Sequence, residues 1–341
     1  MTALPKLSIR VDGSIRPEQC VDLARAADEA GLDGVWFAEN AFARGILPAA
    51  AACALATKNV QINAGVFNPY SRHPTMMAME IGGLDELSGG RATISIGAGI
   101  QAATAKLGLD ASKPLPALRD TLTIVRGLLR GDEVDYVGPV YTARRVKLDY
   151  RARSNIPVYL AGRGNLTVKL AGESADGLLI SNMCSLGFAG RVAGQMRKNA
   201  SAVSRQGAGH VVQYMPCAAH ADSREALRAA KRAVGEMLPR FWALGQKLES
   251  AKEALLTETG ISEADFARVS ERLRAGEDAS EVLDDRYAGA FSLAGTPKEC
   301  LSRAAEYKTA GIDELALTFS GACAKDEIAA IGEALRRYGV R

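Results

Sequence analysis

Short apolar runs alternate along the chain with longer stretches whose apolar residues recur at three- and four-residue spacing. The short runs are Lys6–Val11, Gly34–Ala38, Val60–Phe67, Ala92–Gly97, Pro157–Ala161, Gly177–Ser181, Val211–Ala218 and Glu314–Phe319, and they predict eight strands. Between them, PEQCVDLARAADEAG (17–31), TMMAMEIGGLDELSGG (75–90), LPALRDTLTIVRGLLRG (115–131) and GNLTVKLAGESADG (164–177) predict helices, most of them stopped by glycine. Strands apolar on both faces, each followed by a helix, predict a parallel sheet covered by helices. Eight such units in 341 residues predict one domain, 1–341, folded as a (β/α)8 TIM barrel. The seventh unit is overlong. Residues 223–290 are helical in pattern and highly charged, and they predict a helical insertion before the last strand, serving as a lid or an oligomer contact.

Composition narrows the partners. With 48% hydrophobic residues, 24% charged and a net charge of +3, the chain reads as an ordinary globular protein without a polyelectrolyte partner. The densest basic stretch, RRVKLDYRAR, contains Asp149 and reads as a solvated loop or strand edge, so no nucleic acid is expected. The six cysteines are far apart with no C-x-x-C pair, which points to buried reduced thiols and not to disulfides or zinc. No apolar run approaches the ~18 residues of a membrane span, and the N-terminal segment lacks the apolar core of a secretion signal. A cytoplasmic location with no membrane contact is the expectation.

In a barrel of this kind, active residues lie at the C-terminal ends of the strands. Those ends read Asp12-Gly13, Glu39-Asn40, Asn68-Pro69-Tyr70, Gly97-Ala98-Gly99, Gly162-Arg163-Gly164-Asn165, Ser181-Asn182 and Thr318 to Gly321. No lysine follows Lys6 within the strands or at their ends, which argues against Schiff-base chemistry. The three histidines, His73, His210 and His220, do not fall at metal-ligand spacing with carboxylates, so no metal is expected. Ends rich in Gly, Asn and Ser suit a flat cofactor held by backbone contacts, with the cofactor carrying the chemistry. Gly162-Arg163-Gly164 before a helix start is either a tight turn or a phosphate seat. Gly97-Ala98-Gly99 is either a strand-to-loop turn or a surface that lets a ring approach the backbone.

The stretch GVFNPYSRHPTMMAMEIGGLDELSGGRATISIGAGIQAATAKLG resembles the bacterial-luciferase-like superfamily, and within it the coenzyme F420-dependent methylenetetrahydromethanopterin reductase branch. The resemblance continues through LRDTLTIVRGLLRG, IPVYLAGRGNLTVKLAGESADGLLISN and LAGTPKECLSRAAEYKTAGIDELAL, and spans most of the chain outside the insertion. It implies a non-prolyl cis peptide in a bulge at the end of the third strand, at Gly65–Val66, pressing on the middle of a flavin or deazaflavin ring. It implies further that Asn68 faces the cofactor, that Gly97, Ala98 and Gly99 contact the ring, and that Gly162, Arg163 and Gly164 hold its phosphate. Arg72 and His73 would point to the cofactor tail, to the substrate or to the helix start. Where the family usually carries an acid followed by histidine, this chain has Glu39-Asn40. The resemblance would put Glu39 and Asn40 over the reacting face as the catalytic candidates: an asparagine can hydrogen-bond a ring or substrate but cannot shuttle a proton near neutral pH, and Glu39 could serve as acid or base or only orient Asn40.

The resemblance thus implies hydride transfer between reduced F420 and a small organic substrate, a methylene-tetrahydropterin among the candidates. An FMN-dependent monooxygenase and a flavin-binding barrel without turnover are the alternatives. By the same analogy, a homodimer or higher homo-oligomer is expected.

Overall fold

The computed structural model describes residues 3–99, 101–205 and 209–337. Its centre is a closed barrel of eight parallel strands: β1 Lys6–Asp12, β2 Gly34–Ala38, β3 Gln61–Phe67, β4 Ala92–Ile96, β5 Val158–Ala161, β6 Gly177–Ile180, β7 His210–Ala219 and β8 Glu314–Phe319. Register runs in sequence order from β1 to β8, and Lys6 opposite Glu314 closes the ring. All eight predicted strands are present, with ends displaced by at most one residue.

Alternation within β1 explains why a closed barrel forms. Leu7, Ile9 and Val11 join the large apolar layer between barrel and helices, whereas Ser8, Arg10 and Asp12 occupy the other face. The barrel interior holds its own smaller cluster, built on Trp36, Leu179, Val212, Tyr214 and Ala316. The LDELSGGR segment clamps the outer layer. Asp85 takes two charge-assisted bonds from Arg153 at 2.7 and 2.8 Å, and Arg91 donates to the carbonyls of Ala54, Thr57, Val60 and Ser88. Within the basic stretch read as solvated, Arg153 is therefore a buried-side partner and not a free surface charge. The motif that carries much of the family resemblance is, in this chain, a structural staple.

Three elements lie outside the eight barrel units, the smallest a short strand, Leu293–Gly295, that pairs parallel with the end of β7. A hairpin, Val134–Val137 with Thr142–Val146, is pinned by Asp120, which accepts from Tyr136 Oη and from the backbone of Val140 and Tyr141. Tyr141 in turn donates to the Pro69 carbonyl at 2.6 Å, so the hairpin braces the loop after β3. After β7, helices Ser223–Gly245, Glu249–Leu256, Glu263–Arg274, Ala279–Val282 and Asp285–Phe291 build a second apolar core. There Phe266 stacks on Trp242 at 5.5 Å and meets Tyr287 edge-on at 5.4 Å. Such fully buried rings contribute on the order of 2–3 kcal/mol each. Met183, just after β6, is the barrel residue that enters this core. Among the described residues no helix is long and apolar enough to cross a membrane, and no cluster of potential metal ligands occurs.

Candidate active site

The β3 strand bulges between Ala64 and Phe67, and the Gly65–Val66 peptide within the bulge is cis. A Cβ on Gly65 would lie 2.2 Å from the Ser95 carbonyl oxygen and 2.3 Å from Ser95 Oγ, at a φ of +139°. Only glycine fits there. The same logic extends to the next strand end. A Cβ on Gly97 would sit 2.6 Å from Val66 Cγ1, and one on Gly99, whose φ is +69°, 2.6 Å from Asn68 Nδ2. The glycines after β4 thus let the β3 bulge and the loop behind it fit against β4, with Ala98 between them. Asn68 is spent on that loop: its amide donates to Thr104 at 3.0 Å and accepts from Tyr70 N at 2.9 Å.

Glu39 and Asn40 leave the end of β2 in different directions. Glu39 accepts from Arg72 Nη1 at 3.1 Å, and Arg72 Nε lies 3.0 Å from Glu80 Oε2, which makes a chain of acid, base and acid. The Arg72 guanidinium also lies 4.4 Å over the Phe67 ring, so the whole group rests on β3. Burial pushes the Glu39 carboxyl above the ordinary range, Arg72 pulls it back and Glu80 adds to the rise. Asn40 is exposed, and its side chain bonds to Asp12. The partner of Glu39 is thus Arg72, and that of Asn40 is Asp12. His73 caps helix Pro74–Leu87, Nδ1 accepting from Thr75 N at 3.2 Å.

Asp12 is heavily engaged. It accepts from Arg10 Nη2 at 3.1 Å and from Ser14 N and Oγ at 2.9 and 2.5 Å. Burial raises its carboxyl, but Ser14, Arg10 and Asn40 outweigh that and hold it below the usual value.

Across the mouth, Gly162, Arg163 and Gly164 follow β5. A Cβ on Gly162 would strike Thr167 Cγ2 at 2.7 Å, so this glycine lets helix Asn165–Ser174 come close to its strand. Gly164 is the N-cap of that helix and supplies no side-chain oxygen, which leaves its first N–H groups for another acceptor. Arg163 Nη1 is buried without a hydrogen-bond partner, while its guanidinium lies 5.3 Å over Phe241 of the insertion. Ser250, on the insertion helix Glu249–Leu256, faces Gly164 at 3.9 Å from where a Cβ would stand. A buried arginine N–H with no acceptor beside an uncapped helix start fits a phosphate group. Ser250 and Phe241 were out of reach of a strand-end reading, because they come from the insertion.

A model of the luciferase-like monooxygenase family matches residues 2–314. The chain belongs to the luciferase-like family. One relative is the 5,10-methylenetetrahydromethanopterin reductase of Methanolobus tindarius, 27% identical over 296 residues that cover 86% of this chain and 87% of the relative. Among solved structures, the coenzyme F420-dependent tetrahydromethanopterin reductase of Methanopyrus kandleri superposes with a TM-score of 0.85, at 23% identity, over 98% of this chain and 99% of the other. An F420-dependent secondary alcohol dehydrogenase in complex with an F420-acetone adduct follows at 0.78, with 18% identity, over 99% of each chain. This luciferase-like chain is therefore an oxidoreductase by family, on a TIM barrel whose eight strands match the sequence expectation.

Proposed function

We propose that this luciferase-like protein binds coenzyme F420 and serves its hydride exchange with a small organic substrate, with a methylene-tetrahydropterin as the first substrate to try. The observation that carries the cofactor reading is the seat at Gly162–Gly164: an uncapped helix N-terminus, a buried Arg163 N–H lacking an acceptor, and Ser250 opposite. The reductase relatives, which align over more than four-fifths of the chain, support F420 ahead of FMN.

Bound in reduced form, F420 supplies a hydride from a ring carbon and reacts little with oxygen. The chain's own part is placement and proton control. The glycines at 65, 97 and 99 shape the β3–β4 side of the mouth so that a flat ring can lie against backbone. Val66 and Ala98 offer the apolar surface, and Asn68 fixes the loop beside them. Arg163 and the helix start at Gly164 hold the phosphate end. Glu39, kept protonated to higher pH than an ordinary carboxyl, is the candidate acid or base, with Arg72 and Glu80 setting its orientation and its proton affinity. Asn40 orders Asp12 and does no proton work.

The test is a fluorescence titration of the purified protein with F420 and, separately, with FMN. Tight binding of F420 alone, followed by oxidation of reduced F420 on adding methylene-tetrahydromethanopterin, is the expected result. Binding of FMN alone would replace this reading with an oxygen-using monooxygenase.

A further inference from the structure

One side of the barrel mouth is not used by the cofactor seat just described. The ring and phosphate contacts come from β3, β4 and β5. On β1, β7 and β8, the opposite arc of the closed barrel, three polar groups point inward with nothing to bind. Arg10 Nε is buried without a partner, as are Tyr214 Oη and Thr318 Oγ1. The strands are neighbours, β1 against β8 and β8 against β7, with Ile9 opposite Leu317 and Thr318 opposite Pro216. The Arg10 guanidinium lies 5.1 Å over the Tyr214 ring, and Tyr214 is 5% exposed.

The acids nearby do not account for these groups. Asp12 holds Arg10 by Nη2 only, and its remaining acceptor capacity goes to Ser14 and Asn40. Glu314 lies deeper and is saturated by Ser8 Oγ at 2.5 Å, Trp36 Nε1 at 2.6 Å and His210 Nε2 at 3.1 Å. Asp12 thus fixes the direction of Arg10 and leaves Nε free. A desolvated guanidinium N–H over the Tyr214 ring, on the strand next to that of Thr318, is costly unless it meets an acceptor.

We infer that this arc is a seat for a carboxylate of the substrate, with Arg10 as the residue that selects for it and Tyr214 and Thr318 completing its hydrogen bonds. The inference rests on the hydride-transfer reading for its catalytic meaning, since it places the acid opposite the ring's seat. It narrows that reading to substrates that carry a carboxylate able to reach Arg10 while the reacting carbon faces the ring's seat.

The acid seat can be read without the cofactor, because Trp36 lies 6.1 Å from Tyr214. The chain has two tryptophans, so the full-length Trp242→Phe protein reports Trp36 alone. Sodium acetate is titrated against Trp36 emission, with acetamide and sodium chloride as neutral and ionic controls. A saturable change with acetate only is expected. Arg10→Gln should weaken it by at least about tenfold and Thr318→Val by less, the usual scale for losing a charge-assisted and a neutral bond. F420 affinity, read from the coenzyme's own fluorescence, should move less than about twofold in either variant. No saturable change with acetate, equal responses to acetamide, or an unaffected Arg10→Gln protein overturns the inference. If acetate binds and F420 does not, the proposed function fails and the acid seat stands. If F420 binds and acetate does not, the inference alone fails.

Discussion

Replacing Gly164 by aspartate separates the phosphate reading from every purely structural account of the β5–helix turn. Gly164 has φ −76° and ψ 144°, an extended conformation open to any residue, and a Cβ there meets nothing closer than Ser250 Oγ at 3.9 Å. The new carboxylate would sit at the N-cap of Asn165–Ser174, where no side chain now caps the helix. An aspartate cap improves on glycine by a few tenths of a kcal/mol, and its charge at the positive end of the helix adds about 0.3–1 kcal/mol. Global stability should therefore rise slightly. A phosphate at the same helix start would face that carboxylate at about 4 Å, where like charges repel by about 4 kcal/mol at an effective dielectric of 20. Because the position is half-exposed, about 2–3 kcal/mol should survive screening, a loss of roughly 30- to 150-fold in coenzyme affinity. Gly164→Asn provides the same cap without the charge and should lose less than about tenfold. Urea unfolding and coenzyme fluorescence titration read the two effects separately. If both variants bind F420 as well as the parent does, no phosphate sits at this helix start. If stability falls together with affinity, the helix start is not the open N-terminus argued here.

Four further outcomes follow from the same geometry. Arg72→Met removes the cation that favours ionised Glu39, so the pH limb assigned to Glu39 should move upward, and Glu80→Gln should move it down; carbon-13 titration of labelled glutamate, assigned with Glu39→Gln, checks both. Arg91→Met frees four backbone carbonyls and should cost about 3–5 kcal/mol, seen as a lower urea midpoint at unchanged slope. Glu314 is buried, which alone would raise its pKa, but His210, Ser8 and Trp36 hold it below the usual value; its stabilisation is present above its unfolded pKa and lost as pH falls through the folded one, so Glu314→Gln should flatten the acid limb of unfolding midpoint against pH. Thiol reagents should label Cys323 rapidly and the other five, all buried, only on unfolding, since burial lifts Cys20 to about 11 and Cys53 to about 12 and raises Cys184, while the hydrogen bond with Cys300, with burial added, raises Cys217.

What could be read from the sequence follows from how each feature is encoded. Strand and helix periods are local, and so eight strands and the long helical insertion were legible residue by residue. Gly65 came through the family resemblance and not through local periodicity, and in the structure a side chain there would strike Ser95. Other features are fixed by pairs distant in sequence. Arg72 meets Glu39 across 33 residues, Ser8 meets Glu314 across 306, and Arg163 finds Phe241 only because the insertion folds back over β5. No spacing rule announces such pairs. The hairpin at 134–146 escaped because its strands are short, exposed and charged, lacking the apolar run that marks a barrel strand.

Arg10 is the instructive intermediate case. Its signal was present in KLSIRVD, where strict alternation puts Ser8, Arg10 and Asp12 on one face of a strand whose other face is Leu7, Ile9 and Val11. In an open sheet that polar face would simply meet water. In a closed eight-stranded barrel it faces the interior, and a charged residue there must be paired or serve a ligand. The chemistry of Arg10 therefore becomes legible only once closure of the barrel is accepted, which makes the substrate side of this site a consequence of topology before it is a matter of any one residue.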